Sequence, residues 1–154
     1  MTFKLLHKDD KDGLGVARDL LRYAKQLDAS QFNFSDWVTE FDSENHCGTV
    51  CCLVGHLPNM DPEEFWYETI HDTAFVRAGS GLVCYSVLGD HIHLHEAVFL
   101  GEWSLIQPEV IERYELVIHD DLSEYSLEDA IHNLDAAIKI IERKEDYEVD
   151  DDPR

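Results

Sequence analysis

At 154 residues, 44% of them hydrophobic, the chain is long enough for one domain with a real core and too short for two. Its 33 Asp and Glu against 12 Lys and Arg leave a formal net charge of -21, a field that repels nucleic acid and anionic membranes and attracts basic protein surfaces. No apolar run long enough to span a bilayer occurs, and Met1 to Lys8 lacks the long apolar segment of a signal peptide before Asp9 and Asp10, so a cytoplasmic protein is expected.

The first element is clear. From Asp12 as N-cap, Leu14, Ala17, Leu20, Leu21, Ala24 and Leu27 recur at helical spacing, which predicts a helix near 13–28. Trp37 and Phe41 then lead towards Cys47-Gly48-Thr49-Val50-Cys51-Cys52, followed by Gly55 and His56. A helix near 48–56 would put Gly48, Cys52 and Gly55 on one face, where other helices can approach closely. Three of the four cysteines crowd into six positions, the fourth being Cys84. Such spacing reads as reduced, buried thiols rather than a disulfide framework.

Asp61-Pro62-Glu63-Glu64 has the form of a helix start, with a proline at the first helical position and a Glu placed for a capping box. Phe65, Trp66, Thr69, Ile70, Thr73, Ala74 and Val76 supply an apolar face, so a helix over 62–77 is expected, ended by Gly79-Ser80-Gly81. Leu82 to Leu88 is rich in β-branched and aromatic residues and reads as a strand or hairpin. For residues 90–100 two readings stay open: His91, His93 and His95 alternate as in a strand, while Leu94, Ala97, Val98 and Gly101 fit a short helix with a glycine stop. A helix or turn after Pro108 precedes Leu116-Val117-Ile118, a possible second strand. Ser126 and Asp129 open the last helix, near 126–144, whose stripe runs Ala130, Ile131, Leu134, Ala137, Ile138, Ile141. The fold class is therefore α+β: a mostly helical single domain over residues 1–144, with a two- or three-strand element between Leu82 and Ile118. Residues 145–154, acidic and poor in apolar groups, are expected to be a disordered tail.

The run Cys47-Gly48-Thr49-Val50-Cys51-Cys52-x-x-Gly55-His56 resembles the Cys-Gly-Thr-x-x-Cys-x-x-Gly signature of small uncharacterised phage and prophage proteins, with Phe99-Leu100-Gly101-Glu102-Trp103 similar to a phrase that ends a later helix in that group. The resemblance spans Leu14 to Ile141. It implies a phage-type origin, hence the host cytoplasm, and assigns no catalytic residue.

Three chemistries compete for these residues. The first is an acidic surface. Between Lys25 and Arg113 the only Lys or Arg is Arg77, so Glu40, Asp42, Glu44, Glu63, Glu64, Glu68 and Asp72 are expected to form one outward surface for a basic, nucleic-acid-binding host protein. On this reading the chain is a non-enzymatic accessory protein and inhibitor that mimics nucleic acid, needing no cofactor and binding neither nucleic acid nor membrane directly. The second is a zinc module: Cys47 and Cys51, like Cys52 and His56, sit one helical turn apart, and His91, His93 and His95 would share a face if extended. The third is a hydrolase with Cys47 as nucleophile at a helix N-terminus and His91, His93 or His95 as base, His93 foremost, in an order similar to papain-like and NlpC/P60 peptidases. The sequence around Cys47 departs from theirs and offers no evident third polar residue. Neither zinc nor hydrolase chemistry makes use of the charge.

Overall fold

In the computed structural model the residues described are 3–28, 53, 56–70, 73–78, 81–82, 87–121 and 124–149, with backbone alone for 67–70, 73–78 and 81–82. Helix α1 runs Gly15–Ala24 and buries Ala17, Leu20, Leu21 and Ala24. Asp12 precedes the helix instead of capping it; its carboxylate accepts from the Leu14 N–H at 3.0 Å. The segment before α1 folds back over it. Buried Asp19 accepts from the Leu6 and His7 N–H groups, both at 3.0 Å, and from Arg22 at 2.8 Å, so its carboxylate is well satisfied inside. Close approach there requires Gly15, because a Cβ would sit 2.1 Å from the His7 carbonyl oxygen.

The expected central helix over 48–56 lies outside the described residues except for Leu53 and His56, both buried. A four-residue helix, α2 (Leu57–Met60), follows His56. The Asp61 carbonyl then accepts from the Glu64 and Phe65 N–H groups at 3.2 and 3.0 Å, which turns the chain. Strands β1 (Phe65–Ile70), β2 (Thr73–Ala78) and β3 (Gly81–Leu82) follow as an antiparallel meander. Its register places Phe65 opposite Ala78, Ile70 opposite Thr73, and Arg77 opposite Leu82.

The helix expected over 62–77 is thus corrected to a hairpin. Phe65, Trp66, Tyr67, Thr69, Ile70, Thr73, Phe75 and Val76 are aromatic or β-branched, and such side chains favour a pleated ladder when a partner strand lies immediately downstream. The apolar spacing that imitated a helix did not outweigh that pairing. β structure therefore lies in 65–82, and the strand element expected between Leu82 and Ile118 is not found there among the described residues, β3 reaching only Leu82. Residues 116–118 form no ladder among the described residues; the Asn133 side chain holds them instead, accepting from the Val117 N–H and donating to the Val117 carbonyl, both at 2.9 Å.

The open segment 90–100 is helical: α3 covers Ile92–Leu100 and stops at Gly101, whose φ of 76° suits a residue without a Cβ. Helix α4 (Pro108–Arg113) begins at its proline. Helix α5 (Leu127–Glu142) opens with a complete capping box, Ser126 accepting from the Asp129 N–H and Asp129 accepting from the Ser126 N–H, both at 3.1 Å. α1 and α3 both pack on α5, and α2 bridges α1 and β1. Leu14, Leu20, Leu57, Leu88, Leu94, Ile106, Leu134 and Ile140 are buried where these elements meet. The architecture is mostly helical, with five helices and three strands among the described residues.

Residues 145–149, expected in a disordered tail, are a docked strap. The Gln107 N–H donates to the Tyr147 carbonyl at 2.7 Å, and the Val149 N–H donates to the Leu105 carbonyl at 2.9 Å. Ile106 and Glu148 pair between those bonds. Tyr147 is only 7% exposed, and burial of one aromatic ring plus a short ladder offsets the cost of ordering acidic chain. Residues 150–154 lie outside the described residues.

Candidate functional site

The histidines of α3 do not form one face. Successive helical residues are about 100° apart, so alternate residues diverge where in a strand they would align. His91, at the N-cap, shares a 2.8 Å hydrogen bond with the Tyr147 hydroxyl. His93 Nδ1 pairs with the Glu148 carboxylate. His95 turns inward, 3% exposed, its ring 4.8 Å from that of Phe99, and neither ring nitrogen has a hydrogen-bond partner. Burial pushes its pKa down to about 4, so the ring is neutral at neutral pH. Buried His56 lies elsewhere, its ring 6.0 Å from that of Tyr23 and its Nδ1 3.5 Å from the Asn59 amide. Cys47, Cys51, Cys52 and Cys84 lie outside the described residues, or within a stretch whose structure is not described.

The expected acidic surface is placed in part. Glu40, Asp42, Glu44 and Asp72 lie outside the described residues, and for Glu68 only the β1 backbone is described. Glu63 is exposed and Glu64 half-exposed, on the turn before β1 and not on a helix. Further exposed carboxylates, Asp90, Glu102, Glu109, Glu112, Glu115, Asp120 and Glu128, have no cation at ion-pair distance among the described residues. Sequence reasoning did not assign them to the partner surface; for Asp90, Glu102, Glu109 and Glu112 the scarcity of Lys and Arg between Lys25 and Arg113 was the signal that could have found them.

Several cations serve the fold. Arg18 binds Asp10 at 2.8 Å, Asp12 at 2.6 Å and Glu142 at 2.9 Å, joining the approach to α1 with the end of α5. Its guanidinium, with the Leu14 N–H, holds the Asp12 pKa down at about 2. Arg22 binds Asp19, Lys139 binds Asp135, and Arg113 binds Glu145. Apart from Arg77, every Lys and Arg lies in residues 4–25 or 113–154. Packing α1 on α5 therefore gathers cations with their own carboxylates, while the central elements keep an unbalanced negative charge.

A half-open cavity of about 590 Å³ lies where these ends meet, lined by Leu14, Ile141 and Tyr147 with His91, Asp12 and Glu142 among its polar groups. The hydrogen bonds from His91 to Tyr147 and from Arg18 to Asp12 and Glu142 already engage those groups. Among the described residues no helix is long and apolar enough to cross a membrane. No family model, curated protein or solved structure matched the chain.

Proposed function

We propose that this chain is a non-enzymatic, acidic accessory protein of phage type that acts in the host cytoplasm. It binds a basic, nucleic-acid-binding protein and occupies the groove that normally holds nucleic acid. The observation that carries this reading is charge segregation: Arg18, Arg22, Arg113 and Lys139 are neutralised within the chain, whereas Glu63, Glu102, Glu109, Glu112 and Glu115 have no cation partner among the described residues. Unpartnered carboxylates on a stable scaffold present the charge of a phosphate backbone and speed encounter with a basic surface. The partner surface includes Glu63 and Glu64, and extends to Glu40, Asp42, Glu44, Glu68 and Asp72.

The test is capture of partners from a host lysate with the full chain, followed by mass spectrometry and competition with duplex DNA. A basic protein that DNA displaces, bound more weakly as salt rises, is the expected result. A partner indifferent to both salt and DNA overturns the proposal.

One observation favours a second reading, the Cys47 hydrolase. The contact between His93 Nδ1 and Glu148 is of the kind that orients a general base, and on this reading Glu148 would serve as the third polar group that the sequence lacked. Alkylation of Cys47 at neutral pH no faster than a model thiol removes this reading. For a zinc module the supporting feature is the unbonded ring of His95; elemental analysis of purified protein without stoichiometric metal removes it.

A further inference from the structure

Leu105 and Val149 are 47% and 38% exposed. They lie side by side because the Val149 N–H donates to the Leu105 carbonyl beside the single antiparallel bridge, Ile106 to Glu148, that joins this turn to the strap as a short ribbon. Ile106, paired with Glu148 one step further along, is 2% exposed and anchors the bridge inward, while Leu105 lies in the turn that the Ile106 N–H closes by donating to the Trp103 carbonyl at 3.0 Å. Single exposed apolar residues are ordinary, but an apolar cross-strand pair fixed by the backbone is a contiguous patch.

Carboxylates flank it along the chain. Glu102 lies three residues before Leu105, Glu109 four residues after, and Asp146 three before Val149; all three are exposed and, among the described residues, without a cation at ion-pair distance. The nearest cations along the strap are Arg143, which donates to the Tyr114 hydroxyl at 3.2 Å, and Lys144. We infer that this ribbon is the docking surface for a basic amphipathic segment of the partner, its apolar face resting on Leu105 and Val149 and its cations meeting Glu102, Glu109 and Asp146. The inference rests on the reading of the chain as a binder of basic proteins. Charge complementarity selects the occupant: a second copy would set the same carboxylates against one another, and a membrane or nucleic acid would be repelled.

The probes are two labelled peptides of equal charge. One carries leucines at i, i+3, i+4 and i+7 among lysines, and the other has serine in place of each leucine. Titrated with the full chain at about 0.1 M salt, the leucine peptide is expected to bind at least about tenfold more tightly. In the L105S/V149S double variant that preference disappears while the serine peptide binds as before, and E102Q/E109Q weakens both peptides. Equal affinities in the unaltered chain, or a preference that survives L105S/V149S, overturn the assignment of this patch but leave the acidic binder standing. Failure of both peptides to bind at low salt overturns both. A dimer in sedimentation that L105S/V149S dissolves assigns the patch to a second copy and overturns the inference.

Discussion

Asn133 and Val117 are joined by two hydrogen bonds of 2.9 Å, the Asn133 amide engaging both the N–H and the C=O of Val117. Asn133 is fully buried in α5, so this one side chain holds a segment that pairs with no strand among the described residues. Beside it, the His132 Nε2–H donates to the carbonyls of Tyr114 and Glu115 at 3.2 and 2.9 Å, and Tyr125 receives the Trp103 indole N–H at 3.0 Å and the His119 N–H at 3.1 Å. Loss of the amide in Asn133→Leu leaves Val117 unpaired, at about 1–3 kcal/mol for a buried unsatisfied group. Urea unfolding should show a lower midpoint with an unchanged slope; an unaltered midpoint would show that water replaces the amide without cost.

Gly15→Ala places a methyl group against the His7 backbone, which must move. Destabilisation on the order of 1–3 kcal/mol is expected from this overpacking. Hydrogen exchange at the Leu6 and His7 amides, which donate to Asp19, should rise with it. If those amides stay protected and the melt is unchanged, the N-terminal segment does not depend on this contact.

Stability should carry the signature of His95. Its pKa of about 4 in the folded chain lies below the ordinary 6.5, so the unfolded chain takes up a proton first as pH falls. The stabilising contribution is complete above about pH 6.5, is lost between there and about pH 4, and is level below that. The loss amounts to roughly 3 kcal/mol, at 1.36 kcal/mol for each pKa unit. His95→Leu should remove this part of the pH dependence, seen by comparing chemical denaturation at pH 7 and pH 5 in both proteins.

Lys144 ends α5 with a φ of 55°, where its N–H and that of Glu145 donate to the Ile141 and Ile140 carbonyls at 3.0 and 3.1 Å. Glycine adopts this left-handed geometry without the roughly 1 kcal/mol penalty of a side chain. Lys144→Gly should therefore raise the melting temperature; a fall would mean that the ammonium at the helix C-terminus contributes more than the backbone strain costs.

Charge reversal separates the functional readings. Glu63, Glu64 and Glu68 changed together to Lys should slow association with a captured basic partner without lowering the melting temperature, and salt should do likewise as the Debye length shrinks from about 30 Å at 0.01 M to about 10 Å at 0.1 M. Cys47→Ala should leave binding intact. Binding that ignores the reversals but collapses with Cys47→Ala in a folded protein would instead point to thiol or metal chemistry.

The sequence alone determined what depends on neighbours along the chain. The apolar stripes of α1 and α5, the Ser126 and Asp129 capping box, the proline that starts α4 and the glycine that stops α3 act within a few residues, and the anionic character follows from counting side chains. Tertiary structure decided the rest. Residues 65–78 carry an apolar spacing compatible with a helix and side chains that favour a strand, and the paired register of β1 and β2 resolved the conflict. The strap at 145–149 was invisible to composition because Leu105 and Ile106, its partners, lie some forty residues away in sequence. Likewise, which way His91, His93 and His95 point depends on α3 being a helix packed on α5 with the strap across its first turn. Local signals specify where a helix begins and ends; long-range packing selects which backbone lies beside which, and therefore what each side chain meets.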